Sequence, residues 1–287
     1  MDLALDSLPF SPRVTAAVAA RMHGELDARV AWAQVDAALR DGESIDGLDD
    51  RGVPALCLAS QFQSREGVSE LLARGADANA STFAGGETPL VFFAFCLPGI
   101  PEAEALGCLR LLCQAGADPN ESGHGRATPF EDMIFGPCRL YGRELAAFGA
   151  RFDHKNADGE TLVHRWVSQQ SSFVAHEEEL DWVLAQAQSV GAPLDVNAFD
   201  SKGLSAAGKA ASAGKFRAMQ ALFARGANPF SVSAASSLAE LWAPWRPPRN
   251  HSEADQRFQT LLDATEIQWA LDAGQPAPGP SRRAPRI

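Results

Sequence analysis

The chain has little that would carry it into a membrane, onto a nucleic acid or into redox chemistry. No stretch of its 287 residues reaches the roughly 18 to 20 apolar residues a spanning helix needs. The longest apolar run, Leu90 to Leu97, follows Thr88-Pro89 and fits a buried helix. The start, Met1 to Asp6, has no basic stretch and no long apolar segment, which predicts no signal peptide. Five cysteines (Cys57, Cys96, Cys108, Cys113, Cys138) are odd in number and form no C-x-x-C pair. They are expected to be buried, reduced thiols in a cytoplasmic protein. Lysine is scarce, with arginine supplying most of the 25 basic residues. That bias, with abundant alanine, suits a GC-rich bacterial coding sequence.

The 36 acidic residues leave a net charge of −11. Broad nucleic-acid binding takes clustered Lys and Arg and is not expected. The charge favours a protein partner with a basic surface, or serves solubility alone. Catalytic signatures are missing too. There is no G-x-x-x-x-G-K-[ST] and no G-x-S-x-G. None of the six histidines pairs with another at metal spacing. His176-Glu177-Glu178-Glu179 lacks the second His of a zinc motif and reads as an acidic helix start. No enzyme activity, cofactor or metal is expected.

What the chain does have is a phrase that returns. Leu71-Leu72-Ala73-Arg74-Gly75-Ala76-Asp77-Ala78-Asn79 recurs as Leu111-Leu112-Cys113-Gln114-Ala115-Gly116-Ala117-Asp118-Pro119-Asn120. It recurs again as Leu222-Phe223-Ala224-Arg225-Gly226-Ala227-Asn228, with weaker copies at Gly42, Gly149 and Gly191. Three of the five gaps between these glycines are close to 33 residues; the other two are longer by eight or nine. A second phrase precedes the copies: Gly86-Glu87-Thr88-Pro89-Leu90, Arg126-Ala127-Thr128-Pro129-Phe130, Gly159-Glu160-Thr161-Leu162-Val163-His164 and Gly203-Leu204-Ser205. Thr or Ser before an apolar run caps a helix start, and Pro tolerates the first helical position. Gly after a leucine pair stops a helix, and Asp-x-Asn bonds nearby backbone in a turn. Each unit therefore reads helix, turn, helix, loop, which predicts an all-α solenoid.

The pattern resembles the ankyrin repeat over roughly residues 26–232. The resemblance implies stacked repeats at 50–83, 84–123, 124–156, 157–198 and 199–232. Capping helices are expected at 11–49 and 233–274, with a flexible start (1–10) and a disordered tail (275–287). The family's usual His survives only as His164, expected to bond a neighbouring loop. Cys57, Val91, Glu131 and Gly208 stand in its place elsewhere. The long gaps place insertions at 98–104 and 168–179. These are either tolerated loops or elements that widen a partner site.

The resemblance also implies a protein partner bound by loop tips and first-helix ends. In this register the loop tips include Arg51, Glu87, His124, Arg126, Glu160 and Lys202, and the helix ends include Gln61, Phe62, Phe95, Phe135 and Gln169. Phe62 and Phe135 are either anchors or covered within the array. Phe95, just before the first insertion, is expected to be covered. The whole reads as a monomeric, cytoplasmic binding protein. It would be an inhibitor or immunity protein for a basic toxin, or alternatively a bacterial effector acting on host proteins.

Overall fold

A computed structural model describes residues 11–95, 99–121, 123, 127–135, 139–170, 175–245 and 253–272. Among these residues the chain is all-helical, with only isolated bridges in place of strands. It divides into two compact units, Met1–Arg151 and Phe152–Ile287.

The first unit holds four helix pairs: α1 (Pro12–Met22) with α2 (Ala28–Arg40), α3 (Ala55–Gln61) with α4 (Arg65–Ala73), α5 (Pro89–Ala94) with α6 (Glu102–Gln114), and α7 (Pro129–Ile134) with α8 (Arg139–Ala147). The second holds α9 (Leu162–Gln169) with α10 (Glu177–Ser189), α11 (Ala206–Ser212) with α12 (Phe216–Ala224), and α13 (Leu238–Trp242) with α14 (Glu253–Asp272).

The stop glycines act as their sequence context requires. Gly42, Gly75, Gly116, Gly149, Gly191 and Gly226 all have φ between 75° and 96°. A side chain there would meet the Cβ clash of the left-handed region, so the second helix of each pair ends at the same place. The Asp of the phrase then fixes its own turn: Asn79 N donates to Asp77 Oδ1 (2.9 Å), and Asn120 N to Asp118 Oδ1 (2.8 Å).

The Asn grips the next repeat. Asn79 Nδ2 donates to Gly116 O (2.9 Å) while its Oδ1 accepts from Asp118 N (2.8 Å). Asn120 does the same with Gly149 O (3.1 Å) and Arg151 N (2.7 Å). In the second unit Asn197 clasps Gly226 O (3.3 Å) and Asn228 N (2.7 Å). Each amide satisfies one carbonyl and one N–H that a helix end and loop would leave open.

The insertions are not wholly loop. Glu102 to Glu104 belong to α6, and Ser168, Gln169 and Glu177 to Glu179 belong to α9 and α10. Both α6 and α10 run 13 residues, against nine in α4, α8 and α12. About one helical turn of each insertion lengthens the second helix. The base of the second insertion is closed by three bonds. Gln170 Nε2 donates to Trp166 O (2.9 Å), His176 N to Gln170 Oε1 (2.7 Å) and Trp166 Nε1 to His176 O (2.9 Å). Segments 96–98 and 171–174, like the expected flexible start and disordered tail, lie outside the described residues.

Apolar side chains between paired helices make the cores. Leu56, Leu71, Phe93, Leu112 and Met133 are fully buried in the first unit, and Leu162, Trp166 and Leu222 in the second. Burial of such a side chain contributes about 1.5–3 kcal/mol. At the end of the second unit Phe216, Trp242 and Phe258 form a ring cluster with centroids 5.0–5.9 Å apart. It seats α14 against α12 and α13.

Candidate functional site

Three of the four first helices of the first unit share an ending, α1 ending instead on His23. α3, α5 and α7 are followed by Phe62, Phe95 and Phe135 as their C-caps. The three rings fare differently. Phe95 is 58% exposed, with its ring edge-on to half-buried Phe92 at 6.2 Å. This overturns the expectation that the neighbouring insertion covers it. Phe62 is half-buried, packed edge-on to His23 at 5.0 Å. Phe135 is only 9% exposed, so it serves the core rather than the surface.

The loop tips divide similarly. Arg51 is exposed and pairs with Asp49 at 2.7 Å. Glu87 turns inward: Thr82 Oγ1 donates to its carboxylate, and Glu87 N donates back to Thr82 Oγ1 (3.1 Å). Phe83, beside it, is 42% exposed. Gln61 is half-buried at the end of α3. His124 and Arg126 lie outside the described residues.

In the second unit Gln169 and Lys202 are exposed. Glu160 is committed elsewhere, accepting from Lys209 Nζ and from Asn156 Nδ2 (3.3 Å). Burial raises the Glu160 carboxyl, but the hydrogen bond and charge of Lys209 outweigh it and hold it below its ordinary range. The functional-looking tip is thus partly a structural ion pair.

The position three residues after each helix cap carries the interior polar chemistry. His164 Nδ1 accepts from Thr161 N (3.3 Å), so Nε2 carries the proton and donates to Leu204 O (3.0 Å) on the following loop. Burial keeps this imidazole neutral by lowering its pKa. At Gly208 the following loop comes closer still: an added Cβ would collide with Val232 O. Ser205 Oγ donates to that same carbonyl at 3.1 Å. Cys57 offers weak S–H contacts to Ala80 O (3.6 Å) and Glu87 O (3.8 Å). Glu131 closes a capping box, accepting from Thr128 N at 2.8 Å.

Burial raises the Cys57 thiol strongly and pushes Cys108 and Cys113 to about 12, so all three stay protonated at neutral pH. Among the described residues no three His, Cys, Asp or Glu gather as metal ligands. Among them, too, no helix is long and apolar enough to cross a membrane.

Solved structures match this geometry. The ankyrin repeat domain of Bcl-3, a member of the IkappaB protein family, aligns with a TM-score of 0.60 at 18% identity. It covers 80% of this chain and 92% of its own. The human ASB11 ankyrin repeat domain aligns at 0.57 and 19% identity, over 89% and 98%. The fold is the ankyrin repeat. No protein-family profile matches the chain. At these identities the likeness defines the ankyrin fold and leaves the binding surface to be argued from this chain's own residues.

Proposed function

We propose that this ankyrin chain is a non-enzymatic protein-binding module whose contact surface is the row of first-helix ends and loop tips in its first unit. Phe95 carries the reading. A ring 58% exposed beside half-buried Phe92 is a large apolar surface left to water, of the kind a partner covers. Exposed Phe83 and Arg51, with half-buried Gln61 and Phe62, extend the row. Phe135 drops out because it is buried.

The first unit is also the acidic one. Residues 1–151 hold 12 basic and 21 acidic side chains, a net −9, whereas residues 152–287 hold 13 and 15, a net −2. A partner with a basic surface suits that field and would be steered onto it. We assign the chain the role of a monomeric cytoplasmic inhibitor of such a protein, in the manner of an immunity protein against a basic toxin.

Capture of partners from a lysate of the source cell, followed by titration of Phe92→Ala and Phe95→Ala variants, tests this. Each truncation should weaken binding about tenfold or more, since a buried aromatic anchor contributes about 2 kcal/mol. Unchanged affinity in folded variants would displace the site from the first-helix ends. Recovery of a foreign host protein and of no protein from the source cell would sink the inhibitor role and support an effector instead.

A further inference from the structure

The first unit has a hollow of about 530 Å³ beside its loops, lined by Asn79, Ser81, Gly86, Thr88, Asp118, Glu121 and Gly123. The volume is that of a small-ligand pocket, but the lining is not the usual apolar one. Among the described residues the side chains that line it are neutral and polar or carry a carboxylate, with no Lys or Arg. The loops meet closely here: a Cβ on Gly123 would stand 2.9 Å from both Gly85 O and Gly86 O.

Three of its groups are unspent. Asp118 accepts one backbone N–H, from Asn120, through Oδ1 alone, and among the described residues neither Asp118 nor Glu121 is held in an ion pair. Thr88 is 2% exposed, yet its hydroxyl has no hydrogen-bond partner. As the N-cap of α5 it would ordinarily cap the helix, and it does not. A buried hydroxyl left unpaired costs about 1–3 kcal/mol. The wall residue Asn79 is already committed to its clasp on Gly116 and Asp118.

We infer that this hollow receives an arginine side chain of the protein partner. A guanidinium brings five N–H donors in a plane and no acceptor. That is the complement of two carboxylates without an ion-pair partner among the described residues, an orphan hydroxyl, Ser81 and the glycine carbonyls. The net −9 of this unit favours the same cation. The inference rests on the protein-binding reading, but not on the aromatic row.

The test uses the full chain and a defined probe, the peptide Ac-Ala-Arg-Ala-Arg-Ala-NH2. Its citrulline counterpart, equal in shape but uncharged, is the control. The arginine peptide should shift the amide resonances of Gly86, Thr88 and Gly123 and bind at least tenfold tighter than the citrulline peptide. Asp118→Asn with Glu121→Gln should cost at least tenfold; the Asn retains the acceptor for Asn120 N. Thr88→Val should cost about threefold while leaving the melting temperature unchanged or higher, because it removes an unpaired hydroxyl. A merely structural threonine would show the opposite pattern. Equal affinity for wild type and the double variant would mean that neither carboxylate is read, and would overturn the inference, as would undisturbed resonances. Phe95→Ala should leave peptide binding intact. Loss of peptide binding alone retires the hollow, whereas loss of partner capture alone retires the binding-module reading.

Discussion

The two units are built by one repeat grammar and differ in where they place polarity and aromatic surface. In the first unit three of the four first helices end on Phe62, Phe95 and Phe135, and the net charge is −9. In the second the first helices end on Gln170, Ala213 and Ala243, and the net charge is −2. The first unit joins its helix pairs by ion pairs such as Arg21–Glu66, Arg74–Asp36 and Arg110–Glu144, and the second uses other groups as well. His164 holds Leu204 O, and Lys209 holds Glu160. Lys215 Nζ donates to Val167 O (2.8 Å) and Ser168 O (2.9 Å), capping the end of α9. A scaffold whose backbone bonds are satisfied by Gly and Asn can vary the rest freely. Both units have put that freedom into their joints, and the first has put part of it into an aromatic surface as well.

Breaking a joint should therefore have the largest effect. Gly208→Ala places a Cβ against Val232 O, a backbone atom with little room to move. Ala would otherwise gain about 1 kcal/mol in a helix interior. Overpacking outweighs that gain, and the net expectation is a loss of about 2–3 kcal/mol. Urea denaturation followed by tryptophan fluorescence reads it well, since five of the six tryptophans lie in residues 152–287. A neutral or stabilising Gly208→Ala would mean that the loop after α12 is slack, and the contrast between the units would lose its basis.

The repeat itself was legible because its physics is local. Gly75 or Gly116 must be glycine for the left-handed turn, and Thr128 or Ser205 must be near a helix start to cap it. What escaped the sequence depends on neighbours forty residues away. Asn79 looks like a turn residue, and its bond to Gly116 O appears only once repeats stack. Thr88 carries the capping signature and makes no cap. Phe95 and Phe135 occupy the same place in the repeat, and only the packing around each decides that one is exposed and the other buried. The insertions were located by counting, but counting does not say that a helix absorbs part of each. The fold was thus readable almost throughout. The surface was readable only as a row of positions, some of which turned inward.

The next joint is His164, and it adds a pH signature. His164→Ala removes one of two donors to Leu204 O, leaving that carbonyl to Asp200 N alone, and should cost about 1 kcal/mol. The imidazole's pKa is lowered in the fold, chiefly by burial. The unfolded chain, with a histidine pKa near 6.5, then binds more protons than the native one as pH falls. Stability from the neutral ring is whole above about pH 6.5 and is lost progressively below it. Thermal melts at pH 7.5 and 5.5 should show a smaller fall for His164→Ala than for wild type. An equal fall would mean that His164 is neutral in neither state more than the other, and that the second unit's polar joints are not where its acid sensitivity lies.

The smallest effect sharpens the comparison from the other side. Phe95→Ala removes a ring that is mostly in water and makes one edge contact to Phe92. Such a contact at the surface is worth about 0.5 kcal/mol, and exposed substitutions generally fall within about 0.5 kcal/mol of neutral. Chemical denaturation should find the variant within that margin of wild type. If Phe95 were a core residue glimpsed through a gap, truncation would instead cost about 3 kcal/mol or more. A loss above about 1.5 kcal/mol would place Phe95 with Phe135 among the structural rings, and the first unit would no longer carry a surface that its stability leaves free to change. A near-zero loss leaves the ring with no structural reason to be aromatic, which is the condition a recognition residue has to meet.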